Sequence, residues 1–549
     1  MQAELLFANG PIYTMDPSYP KASALAVRDG RIIAVDDAAH QLSGPSTEVV
    51  DLTGKALLPG FHDAHVHPLL GGLQLLQCNL DAVHSLAAYR EIISSYDRTH
   101  PELDWISGGG WYGDVFPGGF PTKELLDQLV PDRPAYMLSH DGHGAWVNSR
   151  ALQLAGITDS TPDPAGGIIQ RDPNGRATGM LMERAAELVN KMLPETGESE
   201  IDQALLAAQD YLLSMGIVAW QDAAVGQALG MPDFFERYRS LERSGKLAAS
   251  VTGALWWHAD QGLDQIPEMI RRRESTGGRF RASAVKLMLD GVCENLTASM
   301  TRPYSGHPGN RGMQLIPAQD LNQITRQLDA AGFDMHIHTV GDQAVHDALE
   351  ALRLPVRDGW DPRHQLAHID ILDPADLELF SRTGAIANIQ ALWARQDPVL
   401  VETKLPYLDH RHQKSHFAFE TLRSAGIPLA MGSDWPVSSP DPMWAIHTAV
   451  NRTAPPVDPH ATDHRSQTQP LLAHEAISLQ HALYAQTAGA AYANRQEHLR
   501  GTLRTGMQAD FAILEADPFA VEASELGNIG VHQTWIDGEL VHERSKVRG

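Results

Sequence analysis

The sequence predicts an α/β fold built on a parallel sheet, and three observations point to it. Through the middle of the chain, short apolar runs alternate with amphipathic helical stretches, the pattern of repeated βα units. Both ends are instead rich in short β-forming runs joined by tight-turn signals. Histidines and a carboxylate recur at the ends of the central apolar runs. In a parallel sheet or barrel those are the C-terminal strand ends, where active sites are built. The 549-residue length suits one large barrel with a satellite domain.

At the N-terminus, ELLFANG, PIYTMD, SALAVRDG and RIIAVDD read as strands, with Asp29-Gly30 as a hairpin signal. QADFAILEAD and HQTWIDGELVHE repeat the style at the C-terminus around Asp537-Gly538. The two ends are expected to pair into one small sheet domain. LLPGFHDAHVHP follows, and period-2 alternation puts His65 and His67 on one side of a strand end, where they can share a metal. From about residue 69 to 199 the pattern breaks into Gly/Pro-rich pieces carrying Trp105, Trp111, Tyr112, Phe116, Tyr136 and Trp146, which reads as an insertion over the core. Strand–helix pairs then resume: SAVKLML with DLNQITRQLDAAG, FDMHIHTV with DQAVHDALEAL, RHQLAHI with DPADLELFSRTG, and IPLAMGSD with DPMWAIHTAVN. They place Lys286, His336, His338, His368 and Asp434 on or just after strands.

Spacing assigns those residues to strands. A barrel uses about 30 residues per βα unit. His338 and His368 are 30 apart, His368 and Asp434 are 66 apart, and Lys286 and His338 are 52 apart. The 219 residues between His67 and Lys286 exceed three units by the length of the insertion. The register is strands one, four, five, six and eight.

Composition limits the function classes. Hydrophobic residues at 43% and charged ones at 20% describe a globular protein with an ample core. Two cysteines, Cys78 and Cys293, exclude a disulfide scaffold and a Cys-only zinc site. A net charge of −25 argues against a nucleic-acid partner. No apolar run is long enough to span a membrane, and residues 1–15 lack the marks of a signal peptide, so a cytoplasmic location is expected. The 26 histidines direct attention to metal.

These stretches resemble the amidohydrolase superfamily and, within it, amidohydrolase family 3, which includes N-substituted formamide deformylases. The resemblance runs through LLFANGPIYTMD, the PGF-x-D-x-H-x-H core, DGHGAWVNSRAL, GGIIQRDPNGRATGMLMERA, VKLMLDG, HTVGD, LAHID, GSDWPV and RTGMQADFAIL. It implies a distorted TIM (β/α)8 barrel over residues 58–499, with the inserted subdomain at about 69–199. Residues 1–57 and 500–549 would form a β-sandwich. The family pattern HxxGD selects His338 over His336, which is left to support the site or the core. Lys286 matches a strand-four lysine that many members carboxylate, turning an ammonium into a carbamate that bridges two metals. Relatives with one metal or another bridging residue exist, and Cys293 and Glu294 keep that alternative open.

The implied metal ligands are therefore His65, His67, Lys286, His338, His368 and Asp434. Imidazole and carboxylate suit one or two Zn²⁺ ions, with Fe, Mn or Ni as alternatives. The expected chemistry is attack of a metal-activated hydroxide on the carbonyl carbon of a small, aryl or apolar substrate, breaking a non-peptide C–N bond. Asp434 is the expected catalytic residue, a ligand or hydroxide partner that then carries a proton to the leaving amine. A lactonase, a mononuclear deaminase and a non-catalytic metal-binding relative are the alternatives. The intact His and Asp set weighs against the last. His143, Trp111, Trp146 and His307 are the expected substrate contacts, whereas His410, His412 and His416 read as a solvated run. The expected partner is a small molecule, and a homodimer is the default assembly.

Overall fold

The apolar runs of the central chain become eight parallel strands: β1 (Phe61–Val66), β2 (Ile217–Val225), β3 (Ser250–Trp256), β4 (Phe280–Met288), β5 (Asp334–Thr339), β6 (Gln365–His368), β7 (Ile386–Ile389) and β8 (Leu429–Met431). They lie side by side in chain order, each hydrogen-bonded to the next. Every residue of β1, β2 and β5–β8 is buried. Strands covered on both faces need no polar alternation, as in the apolar run of β8, while β1 and β5 bury His and Asp side chains among their apolar ones. This computed structural model describes residues 2–140, 142, 144–164, 167–353 and 359–544.

The row of strands is nearly closed into a barrel. Past the end of β8, the Asp434 N–H donates to the His65 carbonyl at 2.7 Å, and the His67 N–H donates to the Trp435 carbonyl at 2.9 Å. Gly432 makes this approach possible, because a Cβ there would lie 2.5 Å from the His65 nitrogen. At least one helix follows each strand from β2 onward, among them α1 (Phe235–Arg243), α2 (Ile266–Glu274), α3 (Ala318–Ala330), α4 (Asp342–Leu352), α5 (Leu377–Thr383), α6 (Phe419–Ser424) and α7 (Pro442–Asn451). Their apolar stripes face inward; α3 buries Leu321, Ile324, Thr325 and Leu328 at helical spacing. At the start of α7 the Asp441 carboxylate accepts from the Met443 and Trp444 N–H groups, and Pro442 opens the first turn.

The strands of the two termini share one sheet, in the order Glu539–Glu543, Val531–Ile536, Phe511–Leu514, Ala56–Pro59, Leu5–Tyr13, Lys21–Arg28 and Arg31–Val35. Glu48–Asp51 branches off beside Leu5–Tyr13. Hydrogen bonding joins these strands into one continuous sheet. The reason is that nine-residue Leu5–Tyr13 is long enough to pair with Glu48–Asp51 at one end and with Ala56–Pro59 at the other. Both hairpin dipeptides adopt the left-handed backbone such turns need, with φ of 48° and 70° at Asp29-Gly30 and 51° and 74° at Asp537-Gly538. Phe7 packs edge-on against Phe511 and Trp535, joining the ends through their cores.

Residues Met1–His67 with Gln209–Gly549 form one compact unit, and Pro68–Ala208 form a second. The second has its own six-stranded sheet, with Cys78–Asn79, Ile106–Trp111, Ala135–Ser139, Gly144–Val147, Ala177–Glu183 and Gly167–Arg171 as neighbours in that order. Among the described residues no helix is long and apolar enough to cross a membrane.

Candidate metal centre

Five strand ends bring their polar side chains together at one end of the barrel. His65 lies on β1 and His67 one residue past it, and alternation points both toward the loop after β8. Their Nε2 atoms lie 3.2 and 3.0 Å from Asp434 Oδ1. His368 closes β6, with its ring centroid 4.9 Å from that of His65 and 4.6 Å from that of His338. One donor atom from each of His65, His368 and Asp434 falls within 4.8 Å of the others. Lys286 on β4 is buried and stands in register with His336 on β5.

Backbone geometry at two of these positions is unusual. His368 and Asp434 have φ of 78° and 58°, in the left-handed region that side-chain-bearing residues rarely occupy. Such conformations persist where surrounding structure over-determines them. Around Asp434 that structure is visible: the Ser433 and His65 N–H groups both donate to Asp63 Oδ1 at 3.0 Å, clamping the loop to β1.

Each of two imidazoles has its own brace. His338 Nδ1 lies 3.0 Å from Asp290 Oδ1, and the Asp290 carboxylate also accepts from the Ser299, Val340 and Gly341 N–H groups. His336 Nε2 sits 2.7 Å from His65 Nδ1. His336 therefore supports His65, the supporting role expected from the sequence.

Burial sets the charge states. It pushes the His65, His336 and His368 imidazoles well below their ordinary range, so they are neutral near pH 7. Burial opposes ionisation of Asp434, but the close approach of His67 and favourable electrostatics with His67, His368 and Lys286 hold it below the usual carboxylate range. Burial brings Lys286 down to about 8, against the opposing pull of Asp434. It raises Asp63 to about 7, against its N–H donors, and raises Asp222 on β2 to about 6.

A metal fits this donor set. His67 Nδ1, His368 Nδ1 and Asp434 Oδ1 are buried without a well-aligned hydrogen-bond partner among the described residues. The His65 and His67 Nε2 atoms lie 3.2 and 3.0 Å from Asp434 Oδ1, near enough for the three to share one ion. Neutral imidazoles with an ionised carboxylate are ligands for Zn²⁺ and similar ions.

His307 is exposed on the loop after β4, its ring edge-on to Tyr407 at 5.6 Å. Trp111 and Trp146 are buried in the core of the Pro68–Ala208 unit, with their indole N–H groups donating to the Met137 and Thr122 carbonyls at 2.8 Å. His143 lies outside the described residues. The solvated run needs correction: His410 is exposed, but His412 and His416 are buried. His412 is drawn in by Asp342, with Nε2 at 3.2 Å from its carboxylate. Sequence reasoning passed over Asp63, Asp222 and Asp290. Asp63 and Asp290 lie inside the quoted motifs, which was the available signal.

The model of the amidohydrolase family matches residues 48–542. The chain is 31% identical to the protein LONG AFTER FAR-RED 3 of Arabidopsis thaliana, over 98% of this chain and 92% of that one. It is 30% identical to the putative amidohydrolase YtcJ of Bacillus subtilis, over 98% and 99%. With the N-substituted formamide deformylase of Arthrobacter pascens the identity is 25%, over 99% of both chains. Among solved structures, an uncharacterized metal-dependent hydrolase from Pyrococcus furiosus superposes with a TM-score of 0.71 at 26% identity, covering 94% of this chain and 99% of that one.

Proposed function

The chain belongs to the amidohydrolase family, in its family 3, and from that premise we propose that it is a metal-dependent hydrolase of a non-peptide C–N bond in a small molecule. The observation that carries the reading is the meeting of His65, His67, His338, His368 and Asp434 from four separated stretches of sequence, with Lys286 buried on β4. These six residues would hold one or two ions, with Zn²⁺ the first choice. The bound metal supplies Lewis acidity, which makes water acidic enough to attack a carbonyl at neutral pH.

The chain's own residues do the rest. Asp434 is held ionised, so one carboxylate oxygen can take the proton from the attacking water and return it to the departing nitrogen. Asp290 occupies His338 Nδ1, leaving Nε2 as the donor atom. Lys286 is the proposed carbamate: with its pKa near 8, a useful fraction of the amine is neutral at pH 7. The neutral amine adds CO₂ by forming an N–C bond and releasing one proton, converting a cation into an anionic ligand.

The test is a hydrolysis screen of N-substituted formamides, other amides, cyclic imides and lactones. It is run on chelator-treated protein with and without Zn²⁺ or Mn²⁺. Turnover of an amide-type bond that is lost on chelation and regained with metal is the expected result. Full activity in metal-free protein ends this reading, and turnover confined to lactones moves it to another bond.

A further inference from the structure

Strand β7 carries none of the candidate ligands, yet the turn that follows it touches both of its neighbours' contributions. Trp393 ends the turn Ala391–Trp393. Its indole lies parallel to the His368 imidazole, at 4° and 5.4 Å between centroids, an offset stack. The far side of the same indole donates from Nε1 to Ser438 Oγ at 3.0 Å, and the Ser438 hydroxyl donates to the Ser433 carbonyl at 2.6 Å. Ser433 is the residue before Asp434. Arg395 anchors the turn through buried ion pairs with Asp458 and Asp397.

The stack matters because, among the described residues, no hydrogen bond orients His368 through Nδ1 as Asp290 does His338. His338 is oriented by Asp290, and His65 by His336. His368 Nδ1 is buried without a hydrogen-bond partner among the described residues, and its backbone is in the left-handed region. The flat face of Trp393 is the contact parallel to its ring plane, whereas the His65 and His338 rings meet it at 59° and 62°.

We propose that Trp393 is a positioning residue that holds the His368 imidazole and the Asp434 loop in one mutual geometry. The inference rests on the reading of this cluster as a metal centre. It predicts coupling between a β6 ligand and a β8 ligand through a residue that is not itself a metal ligand.

The experiment is titration of metal-free protein with Zn²⁺ alone against a chromophoric chelator, together with the visible spectrum of the Co²⁺-loaded protein. Trp393→Ala should weaken Zn²⁺ by about 10- to 100-fold, the usual effect of losing a residue that orients a ligand, and should shift the Co²⁺ bands. Trp393→Phe keeps a ring over His368 and should recover most of that loss. Ser438→Ala should weaken Zn²⁺ less than Trp393→Ala, and adding Trp393→Phe to it should cost little more, because the same link is already broken. Wild-type Zn²⁺ affinity and Co²⁺ bands in Trp393→Ala overturn the proposal while leaving the metal centre intact. A wild-type chain that binds no Zn²⁺ overturns both. Where Trp393→Ala fails to fold, unchanged Zn²⁺ affinity in both Ser438→Ala and the double variant overturns the proposal.

Discussion

Asp434 is a carboxylate that burial alone would neutralise, held ionised by the imidazoles and lysine around it. Its proposed proton-carrying role separates cleanly from its role as a donor atom. Asp434→Asn keeps the size and one oxygen but cannot accept a proton, so kcat should fall by roughly 10²- to 10⁴-fold. Metal content, measured by elemental analysis, should stay close to wild type because the histidines remain. Near-normal turnover of an unactivated amide by Asp434→Asn would assign the proton to another group. At this scale the sequence was informative wherever strand alternation or an apolar run framed the residue, as at His65, His67 and Lys286. Asp290 carried only its place in the motif VKLMLDG, where it looks like an ordinary turn carboxylate. Only the fold brings three N–H groups and an imidazole to it. Trp393 was equally hidden, since it lies 25 positions from the ring it stacks on.

Among elements, the segment His410–Lys414 shows how tertiary contacts override local polarity. Its HRHQK sequence reads as solvated, yet His412 turns inward onto Asp342 at the start of α4. Burial opposes the charge on both groups, but their mutual hydrogen bond and attraction win, raising His412 above 6.5 and lowering Asp342 below 3.8. A raised imidazole value stabilises the fold fully below pH 6.5, and that contribution is lost as pH climbs through the raised value. A lowered carboxyl value stabilises above pH 3.8, and that contribution is lost as pH falls through the lowered value. The pair should therefore contribute most between about pH 4 and 6.5. His412→Ala should cost about 1–3 kcal/mol there, whereas His410→Ala should change stability by less than about 0.5 kcal/mol. Denaturant melts across pH 4.5–9 check both numbers. A His412→Ala deficit that grows toward alkaline pH would contradict the sign. The junction of β8 with β1 gives a second prediction. Gly432→Ala pushes a methyl group against the His65 backbone and should cost about 1–3 kcal/mol as overpacking, with weaker Zn²⁺ binding. The measurement is a denaturant melt beside a Zn²⁺ titration, and wild-type values in both would show that the junction yields without cost.

For the molecule as a whole, the alternation of strands and helices was legible because every βα unit repeats the same local pattern. The shared sheet of the two termini was legible only as a resemblance in style between distant segments. Its branching at Leu5–Tyr13 was not, since pairing between strands about 45 residues apart leaves no local trace. The backbone bonds between the Asp434 loop and β1 have a consequence for the apo state. His65 and Asp434 are 369 positions apart, so an ion gripping both acts as a removable cross-link across most of the polypeptide. In a chain-entropy account a link closing a loop of that length is worth up to about 6 kcal/mol. Chelation should accordingly lower the Tm by several degrees and speed deuterium uptake at the His67 and Asp434 amides ahead of the strand interiors. Equal exchange at those two amides with and without Zn²⁺ would show that the ends are fastened by their backbone alone. The same ion that equips the protein for hydrolysis would then be its zip fastener, and metal supply would govern how long each molecule lasts.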